Sequence, residues 1–354
     1  MYSLILGAVV LFNCGALYWL SLQAQPVSGG LTRIGELPES DYGFNAPQMR
    51  FKRRLSVAGI YERPCDVVVI GDSFCETPEG GAWVDFLADR LGISVVVLPW
   101  WTSIQELVRT EPFRSFPPKM VIYESVERLL KERQGHKPPE GRDAGLHLKT
   151  LPRIEVRPQN ERREPFSRPL RKTFLSADIR QAKDSLVAEA WRRVGLEPKK
   201  VRIHRLTKAM FSSRKADVLL VYYMDGGPQG WSAGDLENIE GNLLACQKEV
   251  EGNGKTLFLA MVIPNKLTAY SGYLAAGCIP VLRLSDRLSR RGIRHVPLEG
   301  VIERAVREGG TDVYLPNDTH LGVRGAEAVS EAVVSELRRL GCLSPALQPL
   351  RPAK

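Results

Sequence analysis

The sequence predicts an α/β fold built on a doubly wound parallel sheet, a three-layer sandwich with helices on both faces. Two observations support it. Between residues 66 and 123, short β-branched runs alternate with helical segments, an order typical of parallel sheets. After residue 215 the same alternation returns. With 354 residues, 44% of them hydrophobic, the chain is long enough for one large domain and additional segments.

Each element is predicted from its composition and periodicity. The predicted strands are apolar and rich in β-branched residues, and lie at 66–70, 93–98, 120–123, 218–223, 256–263 and 293–296. The predicted helices lie at 83–91, 104–108, 177–194, 233–250, 284–290 and 325–340. Gly92 follows the first of these helices, as glycine often does at a helix C-terminus.

The N-terminal segment predicts a transmembrane helix. Residues 2–22 carry no charged side chain, and Tyr18 and Trp19 lie at one end. A bilayer is crossed by about 20 apolar residues, with aromatic side chains at the interface. A buried core helix is the alternative. The segment lacks the basic n-region of a signal peptide and has a poor cleavage site, which favours an uncleaved anchor.

The chain divides into an anchor, an irregular linker, an α/β domain and a tail, which are predicted at residues 1–24, 25–60, 61–345 and 346–354. A basic insertion at 131–215 interrupts the domain, with 23 Lys and Arg against 10 Asp and Glu. This charge suggests an anionic partner, such as an acidic glycan, a phospholipid headgroup or nucleic acid. A solvated insertion without a partner is the alternative.

The cysteines predict neither a zinc site nor a disulfide framework. Six are scattered without Cys-x-x-Cys spacing, at positions 14, 65, 75, 246, 278 and 342. One disulfide among them stays open as an alternative. No metal site or glycine-rich phosphate loop is visible, and we predict no cofactor.

Ser73 is the candidate nucleophile. Gly71-Asp72-Ser73-Phe74 follows the apolar run at 67–70. A serine in a sharp turn after a buried strand projects its hydroxyl above the carboxyl edge of the sheet. Its own N–H then faces a bound carbonyl. The alternatives are a helix N-cap serine and Cys75 as nucleophile, although two residues beyond the turn Cys75 should point away.

His320 is the candidate base. Three of the five histidines lie in the basic insertion, and His295 has no acidic neighbour in sequence. His320 follows Asp318 by two residues and precedes the last helix. Asp318 can therefore reach Nδ1 of His320 and leave Nε2 for Ser73. A surface loop histidine is the alternative.

Four short motifs carry a resemblance to a known family. They are Gly-Asp-Ser-Phe at 71–74, Glu-Ser-Val-Glu-Arg at 124–128, Ile-Pro-Asn-Lys at 263–266 with Tyr270, and Asp-Thr-His at 318–320. With these motifs, which bracket most of the domain, the chain resembles the SGNH-hydrolase superfamily. More narrowly, it resembles the alginate-type polysaccharide O-acetyltransferases. The resemblance implies a covalent acetyl-enzyme on Ser73, with His320 as general base and Asp318 as its orienting acid.

The chain departs from this family at three points. The Asp-x-His motif follows the serine, whereas in the alginate enzymes it precedes it. Leu321 stands where the family has tryptophan. The glycine and asparagine of the superfamily's oxyanion hole have no clear counterpart. We expect the Ser73 N–H to act with a backbone N–H or hydroxyl from Trp101, Thr102 or Ser103.

Further candidate substrate-binding residues are Trp100, Glu124, Arg128, Lys266 and Tyr270. The tryptophans at 100 and 101 could stack on a sugar ring, although tryptophans that follow a strand are more often core. The charged pair at 124 and 128 would more often brace the loop through an internal salt bridge.

These residues predict an O-acetyltransferase that modifies a cell-envelope or exported polysaccharide. The expected partners are the polysaccharide, either anionic or neutral, and a membrane-bound acyltransferase that supplies the acetyl group; nucleic acid is not expected. This function predicts an inner-membrane protein with one span and a periplasmic catalytic domain. The alternatives are a carbohydrate or lipid esterase with the same triad, and a non-catalytic glycan-binding member of an export complex.

Overall fold

The computed structural model describes residues 2–23, 29–51, 61, 64–75, 81–135, 163–166, 187, 194 and 200–342. Within them the strands are β1 Gln48–Phe51, β2 Val67–Gly71, β3 Val95–Pro99, β4 Met120–Val126, β5 Arg163–Phe166, β6 Val201–Arg205, β7 Val218–Tyr222, β8 Leu257–Ile263 and β9 His295–Val296. The α-helices are Tyr2–Gln23, Gly30–Ile34, Glu39–Tyr42, Trp83–Leu91, Ile104–Arg109, Glu111–Ser115, Glu127–Gln134, Ala233–Glu251, Lys266–Tyr270, Leu284–Arg290, Leu298–Arg307 and Val323–Arg339. Two 3₁₀ helices lie at Tyr223–Gly230 and Ser271–Tyr273.

The central sheet has five parallel strands in the order β3-β2-β4-β8-β9. Counted along the chain, that order is 2-1-3-4-5, one of the two common doubly wound arrangements. The predicted parallel α/β sheet is therefore confirmed. The strand predicted at 218–223 forms as β7 but lies outside this sheet, where it pairs antiparallel with β6.

Helices cover both faces of the sheet. In β2, Val67 and Val69 enter one core, whereas Val68 and Ile70 enter the other. The first core is closed by helices Trp83–Leu91, Leu298–Arg307 and Val323–Arg339. The second is closed by helices Ile104–Arg109, Ala233–Glu251 and Leu284–Arg290. Because both faces are covered, the strands are apolar throughout rather than alternating.

Residues 29–51 correct the prediction of an irregular linker. They form the two short helices Gly30–Ile34 and Glu39–Tyr42, and then β1. Leu31 and Leu37 are buried in a small third core shared with β6 and β7. Elements of four or five residues carry little periodic signal, and for that reason the sequence pattern did not reveal them.

The N-terminal residues form the helix Tyr2–Gln23, 22 residues long and without a charged side chain. Across the described residues, no helix meets the length and hydropathy needed to cross a bilayer. Several side chains of Tyr2–Gln23 lie outside the described residues.

Most of the basic insertion predicted at 131–215 lies outside the described residues, as does nearly all of its predicted helix at 177–194. The described parts give it some regular structure. β5 pairs antiparallel with β1, and β6 pairs with β7. The predicted tail at 346–354 also lies outside the described residues.

Candidate active site

The candidate nucleophile follows β2, the first strand of the doubly wound sheet. The chain order reverses on either side of this strand, and open α/β sheets bind ligands at that switch point. A Cβ at Gly71 would overlap the sulfur of Cys75 and lie 2.7 Å from Oε2 of Glu124. Glycine is therefore required for the close packing beneath the turn. Ser73 itself is exposed.

The structure brings Ser73, His320 and Asp318 together although 247 positions separate the serine from the histidine. Oγ of Ser73 lies 2.8 Å from Nε2 of His320. Nδ1 of the same ring lies 2.6 Å from Oδ1 of Asp318. The carboxylate accepts the Nδ1 proton, so Nε2 is free to take the serine proton. The three side chains have the connectivity of a serine catalytic triad.

Asp318 is held as a carboxylate. Burial alone would raise its pKa, but the hydrogen bond and charge of His320 and the N–H of Gly30 hold the pKa well below its usual range. Oδ1 also accepts the main-chain N–H groups of Thr319 and His320. Oδ2 accepts the Gly30 N–H at 2.6 Å. An ionised Asp318 fixes the imidazole ring and would stabilise an imidazolium formed by proton transfer from Ser73.

Asp72 fixes the turn that carries Ser73. Its Oδ1 accepts the Phe74 N–H at 2.9 Å, and its Oδ2 accepts the Val126 N–H at 3.2 Å. Arg133 pairs with the same Oδ2 at 2.9 Å and donates to the hydroxyl of Ser125. Both charged side chains of this ion pair are nearly buried. Sequence reasoning missed Arg133, because 61 positions separate it from Asp72.

The Ser73 N–H has no acceptor among the described residues, so it is available to a substrate oxyanion. The second predicted donor is only partly supported. The Thr102 N–H donates to the Pro99 carbonyl at 2.9 Å, which removes it as a donor. The Thr102 hydroxyl is buried without a partner in the described part of the chain. Ser103 caps the next helix by accepting the Glu106 N–H.

Glu124, one of the predicted substrate-binding residues, is fully buried beneath the nucleophile turn and is not open to a ligand in this structure. Its Oε2 accepts the Asp72 N–H at 2.8 Å and lies 3.3 Å from the sulfur of Cys75. Burial and the nearby Asp72 charge raise the pKa of Glu124 well above its usual value. The predicted salt bridge with Arg128 does not form.

Cys75 is buried, and burial raises its thiol pKa well above the usual value. A buried neutral thiol is a poor nucleophile, which argues against the alternative nucleophile. The structure instead places the exposed Ser73 hydroxyl against the base.

Lys266 and Tyr270 are also fully buried, so neither contacts substrate in this structure. Nζ of Lys266 donates to the carbonyls of Leu315, Pro316 and Asp318 at 2.7, 3.0 and 3.1 Å. This lysine therefore holds the loop that carries Asp318 and His320. Burial lowers the pKa of Lys266 to about 7. The Tyr270 ring packs between aromatic neighbours in the core.

Arg128 lies beside the triad, but its charge is paired. Nη1 binds Oδ1 of Asp225 at 3.2 Å, and 12% of the arginine side chain is exposed. The guanidinium carbon lies 5.9 Å from the ring centroid of Phe74. Phe74 in turn packs against His320, with the ring centroids 4.9 Å apart. Arg128 thus supports the wall behind the imidazole and retains a small exposed surface.

Trp100 and Trp101 are exposed, by 39% and 63% respectively, so the core interpretation is wrong for them. The rings meet edge to face, with centroids 5.7 Å apart. The guanidinium carbon of Arg133 lies 4.7 Å from the Trp100 ring centroid. Through Arg133 and Asp72, the tryptophan pair is connected to the turn that carries Ser73 and forms an aromatic surface beside it.

The described residues contain no group of three or more His, Cys, Asp or Glu side chains that could hold a metal ion. No protein-family model matches the chain, and a sequence search of curated proteins finds no significant match. The geometry of the site and the four motifs are therefore the basis for assigning a function.

Proposed function

We propose that the protein is a serine acyltransferase of the SGNH type that O-acetylates a polysaccharide. The observation that carries the proposal is the hydrogen-bonded series Ser73–His320–Asp318, with distances of 2.8 and 2.6 Å. An exposed serine bonded to an imidazole, itself bonded to a buried carboxylate, has the arrangement of an activated nucleophile. The doubly wound sheet and the four motifs support assignment to this superfamily.

The first half-reaction forms an acetyl-enzyme. Oγ of Ser73 attacks the carbonyl carbon of the acetyl donor while His320 Nε2 takes the serine proton. The Ser73 N–H stabilises the oxyanion of the tetrahedral intermediate. When the intermediate collapses, the bond to the donor's leaving group breaks, and His320 returns its proton to that group. Asp318 stays ionised throughout and stabilises the imidazolium.

The second half-reaction transfers the acetyl group. A sugar hydroxyl gives its proton to Nε2 of His320 and attacks the acetyl-serine carbonyl. Collapse of this intermediate releases the sugar ester and returns the proton to Ser73. The exposed Trp100 and Trp101 support a sugar acceptor, because aromatic rings offer flat apolar surfaces to the C–H face of a sugar. Water in place of the sugar would make the same site an esterase.

The location and partners are part of the proposal. The charge-free helix Tyr2–Gln23 supports attachment to the inner membrane, with the catalytic domain on the periplasmic side. A membrane-bound acyltransferase would then supply the acetyl group. The net charge of the segment at 131–215 supports an anionic polysaccharide as acceptor.

The test is how the acetyl-enzyme is discharged. Full-length protein is acetylated with an activated acetyl ester, the excess ester is removed, and loss of the adduct is followed by intact mass. We expect anionic oligosaccharides to discharge the adduct faster than buffer alone and to gain the acetyl group themselves. Discharge at the same rate with and without every glycan tested would replace the transferase proposal with an esterase.

A further inference from the structure

The loop that carries the catalytic acid is held from two sides. Lys266 binds three of its carbonyls from the core, as described above. From the other side, the segment formed by residues 29–32 docks on the same loop. Gly30 contacts Asp318 there, although 288 positions separate the two residues in the sequence. This segment belongs to the region that the sequence pattern presented as a linker.

Main-chain contacts dock the segment. The N–H groups of Leu31 and Thr32 donate to the Asn317 carbonyl at 3.0 and 3.3 Å. A Cβ at Gly29 would overlap that same carbonyl, so glycine permits the close approach. Side chains anchor the segment as well. Leu31 is buried in the small third core, and the Thr32 hydroxyl donates to Glu39 at 2.6 Å.

The Gly30 contact involves the hydrogen-bonded series Ser73–His320–Asp318 itself. Its N–H donates to Oδ2 of Asp318 at 2.6 Å, whereas Oδ1 is occupied by His320 and the main chain of its own loop. Gly30 supplies the one bond to Oδ2 among the described residues. A carboxylate bonded through both oxygens cannot rotate about χ2 without losing a hydrogen bond.

We propose that residues 29–32 are a positioning element of the active site, in which the Gly30 N–H fixes the orientation of Asp318 and, through it, the imidazole of His320. The catalytic consequence rests on the proposed function, whereas the structural claim does not. Gly30 is a positioning residue, because it contacts neither substrate nor the reacting atoms.

Proline at position 30 disrupts this contact in two ways, by removing the donor and by placing its ring carbon Cδ where the N–H proton lies against Oδ2. Proline lacks the N–H and is tolerated at the first residue of a helix, which Gly30 occupies. Gly29 already has the extended backbone that precedes proline, at φ −80° and ψ 140°. Ala233→Pro is the matched control. Ala233 is the first residue of the helix Ala233–Glu251, and Ser232 before it has an extended backbone, at φ −74° and ψ 164°. Gly30→Ala keeps the N–H and places a Cβ 3.1 Å from Oδ2.

In full-length protein, we expect Gly30→Pro to slow acetylation of Ser73 by about 100-fold with little change in KM for the ester. Ala233→Pro should match wild type, and Gly30→Ala should lose much less than Gly30→Pro. The Gly30 N–H favours the carboxylate, so its loss should raise the pKa of Asp318 from its position well below the usual range.

A second readout is independent of activity. The measurement is the NMR resonance of the hydrogen-bonded Nδ1 proton of His320 in histidine-labelled protein. We expect this resonance in wild type and Ala233→Pro and its loss in Gly30→Pro. Thermal unfolding checks that all three proteins are folded. A Gly30→Pro protein that keeps this resonance overturns the inference. If wild type gives the resonance but no acetyl adduct, the proposed function fails while the positioning role is still tested.

Discussion

At the scale of single residues, Glu124 has an unexpected role. It is an acid buried directly beneath the nucleophile turn, where it accepts the Asp72 N–H. Burial and the Asp72 charge raise its pKa well above the usual value, which favours the protonated, neutral form. Arg133 forms its ion pair with Asp72.

A neutral Glu124 predicts that glutamine can replace it. Glu124→Gln keeps the shape and the carbonyl acceptor but places an amide NH2 where Oε1 is buried without a partner in the described residues, so we expect it to lose less stability than Glu124→Ala and to keep acetylation at pH 7. Glu124→Ala leaves a cavity and an unpaired Asp72 N–H, and should cost about 2–4 kcal/mol of unfolding free energy. Denaturant unfolding of both variants measures this. Equal losses in both variants would show that the acid is needed in its charged form.

Trp101 predicts a separation between the two half-reactions. Its ring is 63% exposed and meets the Trp100 ring edge to face, beside the nucleophile turn. We expect Trp101→Ala to leave formation of the acetyl-enzyme unchanged and to raise KM for an oligosaccharide acceptor by about tenfold, the effect of losing one stacking contact. Phe116→Ala, which removes an exposed ring elsewhere, is the control. An unchanged acceptor KM would remove this surface from the acceptor site.

At the scale of elements, the sequence revealed what is periodic or what lies in a short motif. The parallel strands and the Ser73 turn follow from apolar runs ended by glycine, and the Asp318–His320 pair is contiguous. The sequence did not reveal the contacts that assemble them. Arg133 and the docked segment at 29–32 act through partners distant in the chain. Gly30 acts through its main-chain N–H, a group that every residue except proline has, so the residue type does not indicate this role.

The structural role of Lys266 was not predicted for a related reason. Lysine is rarely fully buried, and the motif that contains it does not indicate its burial. Its side chain closes the loop that carries Asp318 and His320 onto the core. A motif residue beside an active site can therefore be structural, and burial distinguishes the two roles.

The loop contact predicts a pH dependence. The Lys266 pKa is about 7 in the folded protein, and about 10.4 in the unfolded chain. Between these values the unfolded state binds more protons, so stability from this group rises with pH, by up to about 1.4 kcal/mol per unit. We expect the unfolding free energy of wild type to rise relative to that of Lys266→Met between pH 7 and pH 10. If the plots of unfolding free energy against pH are parallel for wild type and Lys266→Met, they contradict the lowered pKa of Lys266. The control is Lys255→Met, at an exposed lysine, whose plot should run parallel to that of wild type.

At the scale of the whole molecule, the docked segment limits the distance between the N-terminal helix and the active site. The helix ends at Gln23, and Gly30 contacts the catalytic acid. Six residue steps join Gln23 to Gly29, and a fully extended chain covers about 20–22 Å over that length. If the helix is the membrane anchor that we propose, the catalytic acid works close to the bilayer surface. A membrane-bound acetyl donor would then be within short reach.

The central claim is that Ser73 carries the acetyl group. The measurement is the intact mass of full-length protein after exposure to an activated acetyl ester, compared with Ser73→Ala and with Ser289→Ala, which removes an exposed helix serine. We predict a single acetyl adduct, 42 Da by its chemical formula, on wild type and Ser289→Ala and none on Ser73→Ala. An adduct that survives in Ser73→Ala, or none on wild type, would contradict the account.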